Sequence, residues 1–254
     1  MQGPTSGRLL KELVGPEIGN LKYFRVTRAK IAGVEVDISR TGYTGDLGYE
    51  IWMPWAEAVR VWDALMDAGR RFDIHAAGML ALDVARIEAG LILIEVDYFS
   101  SKKALIEAQK SSPYEIGLGR LVHLDKEHFI GRAALKEEQR RGPQRQLVGL
   151  ELEWTEVERL YEAVGLAPQA PATASRVAVP VYSGSRQVGK ATSTAWSPTL
   201  KKMIALASVS RDHATAGTRL QMELTVEAVR HTVTTRVTPL PFFNPQRKTA
   251  TPVV

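Results

Sequence analysis

Apolar residues recur along this chain at two spacings, and the change from one to the other divides it into two parts. Over the first 142 residues, helical and strand-like spacings both occur, which is typical of a mixed α and β structure. A short turn at Ala32-Gly33 between two apolar runs indicates a hairpin. The pattern predicts helices at residues 5–14, 55–69, 78–89 and 132–140, and strands at 24–31, 34–39 and 49–53.

The pattern becomes strand-like beyond Gly142-Pro143-Gln144, a turn-forming sequence that we take as the domain boundary. Short strands at such regular spacing predict a small barrel or sandwich. A stretch rich in Ala and Pro at 164–175 is expected to be an exposed loop. We expect an α+β domain at 1–142, a β-rich domain at 146–243 and a tail at 244–254. The predicted strands of the second domain are 147–152, 177–182, 187–194, 203–209, 219–226 and 231–237.

Composition and charge narrow the classes of function. The 254 residues are 44% hydrophobic and 24% charged, as in ordinary globular proteins. The net charge of +5 is dispersed, and its densest stretch, 136–145, also contains acidic residues, so nucleic acid is not an expected partner. The chain has no Cys, and its five His residues lack ligand spacing, so we expect no metal. No apolar run approaches the roughly 18 to 20 residues of a membrane span, so we expect no membrane partner. The lack of Cys excludes disulfides, and we therefore expect a cytoplasmic location.

A glycine-rich loop separates the predicted strands at 34–39 and 49–53. Its glycines, Gly42, Gly45 and Gly48, can adopt positive φ and let a ligand approach the backbone closely. Glu50 follows the loop, and strand alternation places it on the face opposite Tyr49. Such a carboxylate either faces water, as in an ordinary hairpin, or binds a ligand that has N–H groups to donate.

Four motifs in this chain occur in the same order as in one known protein family. They are R-T-G-Y-T-G-D-L-G-Y-E-I at 40–51, R-I-E-A-G at 86–90, F-I-G-R-A-A-L at 129–135 and T-S-T-A-W-S-P-T-L at 192–200. Together they resemble the aminomethyltransferase (glycine-cleavage T-protein) family over nearly the whole chain. The resemblance implies an α+β, mixed folate-binding core followed by a C-terminal β-barrel, with tetrahydrofolate as cofactor.

The same resemblance implies where folate binds. Tyr43 and Glu50 match residues that line the folate pocket of relatives. One ionised carboxylate can accept hydrogen bonds from the pterin 2-amino group and the ring N–H beside it, and an aromatic ring can cover its flat face. Trp196 is expected either to pack on folate or to plug the barrel. Arg247 is expected to reach a glutamyl tail of folate.

Arg86 is a further folate-ligand candidate, because it lies in the motif at 86–90. It could instead brace its helix by pairing with Glu88. Asp83, three residues before it, shares its helix face, so these two side chains could pair or point together at a ligand.

Two departures from the family pattern limit the inference. The family's N-terminal segment, which carries the aspartate assigned to the reacting folate nitrogen, has no counterpart here, so the catalytic residue stays unknown. We expect the chain to be a fragment, or a separate chain to supply that part. Leu82 stands where relatives have a folate-pocket arginine, and an insertion-like stretch occupies 97–115. These changes favour a demethylase-like branch with a different one-carbon donor.

The expected function is therefore transfer of an aminomethyl or methyl group from a small-molecule donor to tetrahydrofolate. A lipoyl carrier protein would be a partner only if the reaction is glycine cleavage. The alternative is a folate-binding module or subunit without catalysis. A related iron–sulfur maintenance factor carries a Cys-containing motif, and the lack of Cys excludes that reading.

Overall fold

A computed structural model describes residues 1–251, which form two compact units. The first unit contains Met1–Ala89 and the segment that begins at Phe243, and we call it the α+β unit. The second contains Gly90–Phe242, and we call it the barrel unit. The compact units divide between residues 89 and 90, whereas the domain limits predicted from sequence, 142, 146 and 243, stay predictions.

The α+β unit is a three-stranded antiparallel sheet with helices on one face. The sheet order is β1-β2-β3, and β1 and β2 form the predicted hairpin through a turn in which Ala32 and Gly33 both have positive φ. Each predicted helix of this region is present, and a short 3-10 turn at Trp55–Glu57 precedes the second. The elements are α1 (Ser6–Val14), β1 (Val26–Ile31), β2 (Val34–Ser39), β3 (Glu50–Trp52), α2 (Ala58–Gly69) and α3 (Met79–Glu88).

Strand alternation gives this sheet one buried and one outer face. Val34, Val36 and Ile38 of β2 are buried and belong to one apolar cluster with Leu10 of α1 and Val61 of α2. Helices α1 and α2 therefore cover the inner face, and the residues between the buried ones point outward. The outer face carries the charged and polar positions of the sheet, and Glu50 is one of them.

The barrel unit contains a closed six-stranded antiparallel barrel with the order β4-β7-β6-β5-β8-β9. Its interior is filled by alternating apolar residues of all six strands, including Leu150, Ala205 and Met222. The six strands predicted from sequence are confirmed, and the barrel decides between the barrel and sandwich alternatives. The strands are β4 (Arg145–Leu152), β5 (Val179–Ser183), β6 (Arg186–Ser197), β7 (Lys202–Ser210), β8 (Arg219–Val226) and β9 (Val229–Thr238).

Two further helices lie in the barrel unit. Helix α4 (Arg132–Arg141) was predicted, whereas α5 (Trp154–Glu162) was missed. The stretch at 164–175 is irregular and mostly exposed, as predicted. None of the helices within residues 1–251 is both long and apolar enough to cross a membrane.

Candidate functional site

Glu50 is the first residue of β3 and lies on the outer face of the three-stranded sheet. It is opposite Ser39 of β2, which in turn is opposite Val26 of β1. The exposed Glu50 carboxylate accepts a hydrogen bond from Oγ1 of Thr41, whose hydroxyl also lies 2.7 Å from that of Ser39. No Lys, Arg or His side chain among residues 1–251 forms an ion pair with Glu50. The exposed carboxylate is therefore oriented by the Thr41 hydroxyl and also interacts electrostatically with the ammonium group of Met1.

The surroundings of Glu50 on this outer face are partly aromatic. Trp52, two residues along β3, lies on the same face and is opposite Asp37. Asp37 accepts two hydrogen bonds from Arg28, at 2.8 and 3.1 Å, and this contact lowers the pKa of the Asp37 carboxyl below its ordinary value. Asp37 is thus already paired, which leaves Glu50 as the acceptor beside the exposed Trp52 ring. We call the surface made by Val26, Arg28, Asp37, Ser39, Glu50 and Trp52 the Glu50 face.

The glycine-rich loop is packed against the protein itself. Only Gly45 of the three glycines has positive φ, +75°, and a Cβ there would lie 2.6 Å from Cβ of Ala89. A Cβ at Gly42 or Gly48 would collide with the side chain of Gln2, at 2.2 and 1.9 Å. Positive φ, which the sequence allows at all three positions, is therefore adopted at Gly45, whereas at Gly42 and Gly48 the close approach of Gln2 requires glycine.

Tyrosines at both ends of this loop differ in burial. Tyr43, the predicted folate contact, is half-buried in the irregular part of the loop. Tyr49 is fully buried, and its hydroxyl has no hydrogen-bond partner among the described residues. Burial raises the pKa of Tyr49, an effect that nearby Arg40 only partly opposes. The tyrosine that anchors the loop in the core is therefore Tyr49, which leaves Tyr43 at the surface of the loop.

Arg86 is buried within α3. Its Nε donates a hydrogen bond to Oδ1 of Asp83 at 2.9 Å, and both side chains are almost fully covered. Of the alternatives left open by sequence, the pairing of Asp83 with Arg86 is realised. Contact between Arg86 and folate stays a prediction, which the burial of its guanidinium does not favour.

Arg247 fastens the segment after Phe243 to the glycine-rich loop. Its guanidinium donates to both carboxylate oxygens of Asp46, at 2.6 and 2.7 Å, which raises its pKa. The carbonyl oxygens of Arg247 and Lys248 accept from the buried Arg40 guanidinium, at 3.4 and 3.3 Å. Sequence reasoning missed this role of Arg40, the first residue of the loop motif. The predicted contact between Arg247 and a glutamyl tail is untested, and Asp46 now holds that guanidinium.

Trp196 lies on β6 in the barrel unit. Its ring is 4.8 Å from that of Trp154, at the start of α5, and both rings pack against the barrel core. This packing corresponds to the plug alternative. The predicted contact between Trp196 and folate stays a prediction.

The Thr-Ser pair that opens the same motif holds a buried carboxylate. Oδ1 of Asp97 accepts hydrogen bonds from Thr192 Oγ1 at 2.6 Å and Ser193 Oγ at 2.7 Å, and Oδ2 accepts from the Leu93 N–H at 2.8 Å. The register of β6 against β7 shifts between Ala191 and Ser193, so Thr192 is an extra residue in the strand. The bulge turns both hydroxyls toward Asp97, which attaches the segment containing Leu93 to the barrel.

A cavity of about 600 Å³ lies in the α+β unit and was not anticipated from sequence. Leu82 lines it together with apolar side chains of α2 and the segment that follows, and with polar residues that include Gln2 and Thr44. A cavity of this size and character is typical of small-molecule sites. Its apolar lining residues include Trp62, Leu65, Phe72, Ile74 and Met79.

Two titratable side chains, Asp73 and His75, also line this cavity. Among residues 1–251, no three His, Asp or Glu side chains are arranged to hold a metal ion. His75 pairs with Asp73 at 3.0 Å, and His213 lies 3.2 Å from the Ser210 hydroxyl. The catalytic residue stays unassigned.

Comparison with known proteins gives the family. The model of the GCVT N-terminal domain matches residues 1–126, and that of the glycine cleavage T-protein C-terminal barrel domain matches residues 162–244. This chain belongs to the glycine cleavage T-protein family. Its family resemblance, inferred from four motifs, is thereby confirmed, together with the fold of a mixed core followed by a barrel.

Relatives of this T-protein chain are longer than the chain itself. It is 34% identical over 243 residues to an aminomethyltransferase of Halothermothrix orenii, covering 96% of this chain and 60% of the relative. An aminomethyltransferase of Saccharopolyspora erythraea is 36% identical over 244 residues, covering 96% and 59%. The crystal structure of the glycine cleavage system aminomethyltransferase T from Bartonella henselae has the same fold, with a TM-score of 0.72 at 23% identity, covering 94% of this chain and 57% of that one. The chain thus spans about three fifths of these relatives.

Proposed function

We propose that this chain forms the folate-binding part of a tetrahydrofolate-dependent one-carbon transferase, and that the Glu50 face receives the pterin. This proposal rests on the exposed Glu50 carboxylate, which accepts a hydrogen bond from Thr41 within the family's loop motif. Trp52 follows Glu50 by two residues and lies on the same face of the sheet. A solvated glutamate of an ordinary hairpin needs neither the oriented hydroxyl nor the neighbouring aromatic ring.

The groups of this face fit the pterin ring of tetrahydrofolate. An ionised carboxylate accepts two parallel hydrogen bonds from a donor pair, and such charge-assisted bonds are the strong ones. The indole of Trp52 offers a flat apolar surface on the same sheet face, and Tyr43 lies in the preceding loop. Bound tetrahydrofolate would supply a nitrogen that accepts the one-carbon unit.

Three further residues were predicted to bind folate, and they differ in the contacts that they now make. Arg86 acts as a positioning residue, since its guanidinium is buried against Asp83. Arg247 would bind a glutamyl tail only by exchanging Asp46 for it, because both carboxylate oxygens of Asp46 now accept from the guanidinium. Contact between Trp196 and folate stays a prediction, and the Trp196 ring now packs on Trp154.

The donor is the second part of the proposal. Leu82 lines a largely apolar cavity and cannot donate a hydrogen bond, which favours a small, weakly polar methyl or methylene donor. We therefore infer a demethylase-like specificity. If the donor is instead the aminomethyl group of glycine cleavage, a lipoyl carrier protein is the partner that must deliver it.

The third part concerns completeness. The chain spans about three fifths of the length of its aminomethyltransferase relatives, and the described residues assign no catalytic group. We infer that a further segment, or a separate chain, supplies the remaining part and its catalytic aspartate. The alternative function, a folate-binding module without catalysis, is supported by the same observation. Adding the remaining polypeptide distinguishes the two functions: the transferase should then transfer a one-carbon group to tetrahydrofolate, and the folate-binding module should not.

The test is a calorimetric titration of tetrahydrofolate into the chain and two variants. Glu50→Gln keeps the size of the side chain but removes its charge, so we expect affinity to fall about 10- to 100-fold, as for hydrogen bonds to charged groups. Glu35→Gln, at an exposed position of β2, is the matched control and should bind like the unmodified chain. Equal affinity in all three proteins would refute the proposed site.

A further inference from the structure

Two arginines lie side by side on the outer surface of the barrel. Arg219 of β8 is directly opposite Arg236 of β9, and both residues are exposed. Within residues 1–251, neither guanidinium forms an ion pair or a hydrogen bond. Like charges directly opposite each other destabilise a sheet. An anion that binds between the two guanidinium groups would offset this repulsion.

Both arginines line a cavity of about 270 Å³ at one end of the barrel. Leu152, the last residue of β4, and Trp154, the first residue of α5, also line it. The cavity therefore lies where the barrel meets this helix. At such a rim, residues from the inner and the outer faces of the strands border the same space.

The charged side chains that line this cavity are more cationic than acidic. Glu151 of β4 is also opposite Arg236, but its carboxylate accepts a hydrogen bond from Lys202 Nζ at 2.8 Å and is already paired. Glu153 is the second acidic residue among the described lining residues, and it is exposed. Three cationic and two acidic side chains thus line the cavity, a net charge of +1. This balance favours an anionic ligand.

A buried hydroxyl group belongs to the same surroundings. Thr235, which precedes Arg236 in β9, lines the cavity and is 1% exposed. Its hydroxyl has no hydrogen-bond partner in the described part of the chain. Nearly all buried polar groups in proteins are hydrogen-bonded, so an unpartnered one requires an explanation. A bound ligand with an acceptor oxygen would supply the partner.

The start of helix α5 provides further hydrogen-bond donors. Glu153, the residue before the helix, makes no capping hydrogen bond with its side chain, and the first N–H groups of a helix have no partner within it. The acidic residue of the first turn, Glu156, is engaged elsewhere, because its Oε2 accepts a hydrogen bond from the Thr234 N–H at 2.7 Å. Helix N-termini bind phosphate and other anions through such N–H groups.

We propose that this cavity, which we call the Arg236 site, binds a phosphate group. A tetrahedral phosphate has enough oxygens to accept hydrogen bonds from two guanidinium groups and a hydroxyl at once, whereas one carboxylate is matched by a single guanidinium. The phosphate group is either a free ion or the end of a small ester, and the test separates the two. The site belongs to the barrel unit and shares no residue with the Glu50 face, so this inference goes beyond folate binding.

The probes are inorganic phosphate and phenyl phosphate, titrated into the chain without folate, in phosphate-free buffer of low ionic strength. The ³¹P NMR linewidth gives the affinity for the chain and for Arg236→Gln, Thr235→Val and Arg230→Gln. Arg230 is the matched control, because it is an exposed arginine of the same strand that lies 4.0 Å from Glu223. Succinate is added in a second series to test whether a dicarboxylate displaces phosphate. Circular dichroism melts establish that each variant is folded.

We expect Arg236→Gln to weaken phosphate binding at least tenfold, Thr235→Val to weaken it about tenfold, and Arg230→Gln to leave it unchanged. Thr235→Val should melt no lower than the unmodified chain, because the Thr235 hydroxyl has no partner among the described residues. Its lost affinity would then report on the ligand and not on folding. Tighter binding of phenyl phosphate than of inorganic phosphate would assign an ester as the ligand, and the reverse would assign the free ion.

Three results would overturn the proposal. The first is the absence of saturable binding of both probes. The second is full affinity in Thr235→Val, or an equal loss in Arg236→Gln and Arg230→Gln, which would show only general attraction to positive charge. The third is displacement of phosphate by an equal concentration of succinate, because the site would then select carboxylates. Folate is absent from this assay, so its outcome is separate from that of the Glu50→Gln titration.

Discussion

Nε of Arg86 donates a hydrogen bond to Oδ1 of Asp83 over 2.9 Å, and the two side chains are only 1% and 5% exposed. Removing one member of a buried ion pair leaves the other charge without compensation, which is strongly destabilising. Replacing both members by apolar residues is often close to neutral. The pair therefore gives Arg86, the first residue of the R-I-E-A-G motif, a structural role, and its contact with folate stays a prediction.

Substitution at this pair separates a structural from a ligand-binding role. Arg86→Met should lower the free energy of unfolding by about 3–5 kcal/mol, and Asp83→Leu combined with Arg86→Met should lower it by much less. Urea denaturation measures both effects. If Arg86→Met left stability unchanged but abolished tetrahydrofolate binding, Arg86 would be a ligand residue.

Gly45 is fixed by two independent constraints, positive φ and contact with Ala89. Gly45→Ala should destabilise the chain by about 2–4 kcal/mol, from left-handed backbone strain together with overpacking. Gly33→Ala is the control, because Gly33 also has positive φ but meets only the flexible end of Arg60, at 3.4 Å. It should cost about 1–2 kcal/mol by thermal or urea unfolding. Equal losses at the two positions would show that the contact with Ala89 carries no cost.

Asp97 is expected to be a stabilising residue of the barrel unit. Asp97→Ala leaves two buried hydroxyls and one N–H without this acceptor, so the free energy of unfolding should fall by about 2–4 kcal/mol. Thr192→Val removes one of these hydrogen bonds and should cost about 1 kcal/mol. Exposed Asp125→Ala should change little. Urea unfolding followed by tryptophan fluorescence reports on this unit through Trp154 and Trp196, and a loss at Asp97 no larger than at Asp125 would contradict the assignment.

Tyr49 should make stability sensitive to alkaline pH. Burial raises its folded-state pKa above the ordinary value of 10.0, so the unfolded chain loses the phenolic proton first. Stability is therefore maintained below about pH 10 and falls as pH rises further. In Tyr49→Phe this part of the alkaline loss should disappear. At neutral pH the variant should be as stable or up to about 1 kcal/mol more stable, because the Tyr49 hydroxyl has no partner among the described residues. Identical alkaline unfolding of both proteins would exclude Tyr49 as the cause.

The barrel strands and the outward placement of Glu50 follow from the sequence because both depend on local alternation. Helix α5 was missed although Trp154 and Val157 have helical spacing, since its other residues are mostly polar and it lies between two predicted strands. The position of Trp52 on the Glu50 face could have been predicted, because residues two apart in a strand lie on the same face of the sheet. The contacts of Gly45 with Ala89 and of Gly48 with Gln2 join residues more than 40 positions apart, and no local pattern encodes them.

Burial explains the remaining differences between the predictions from sequence and the structure. The spacing of Asp83 and Arg86 predicts that they can pair, but only tertiary packing decides that both are covered. The exposure of Val59 on α2 has the same origin, because helical spacing groups Val59 with Leu65, whereas Val61 is the residue of this helix that is fully buried in the core. Which side of a helix is covered depends on what packs against it.

The most direct test of the Glu50 face is ¹⁹F NMR of the chain labelled with 5-fluorotryptophan, with tetrahydrofolate added. The five tryptophans, Trp52, Trp55, Trp62, Trp154 and Trp196, sample different surfaces, and Trp52→Phe assigns the signal that matters. We expect tetrahydrofolate to shift the Trp52 resonance, to leave that of Trp154 in place, and to shift Trp52 in Glu50→Gln only at about 10- to 100-fold higher concentrations. A further shift at Trp196 would support its predicted contact with folate. An unchanged Trp52 signal at saturating tetrahydrofolate, or the same concentration dependence of the shift in Glu50→Gln, would contradict folate binding at the Glu50 face.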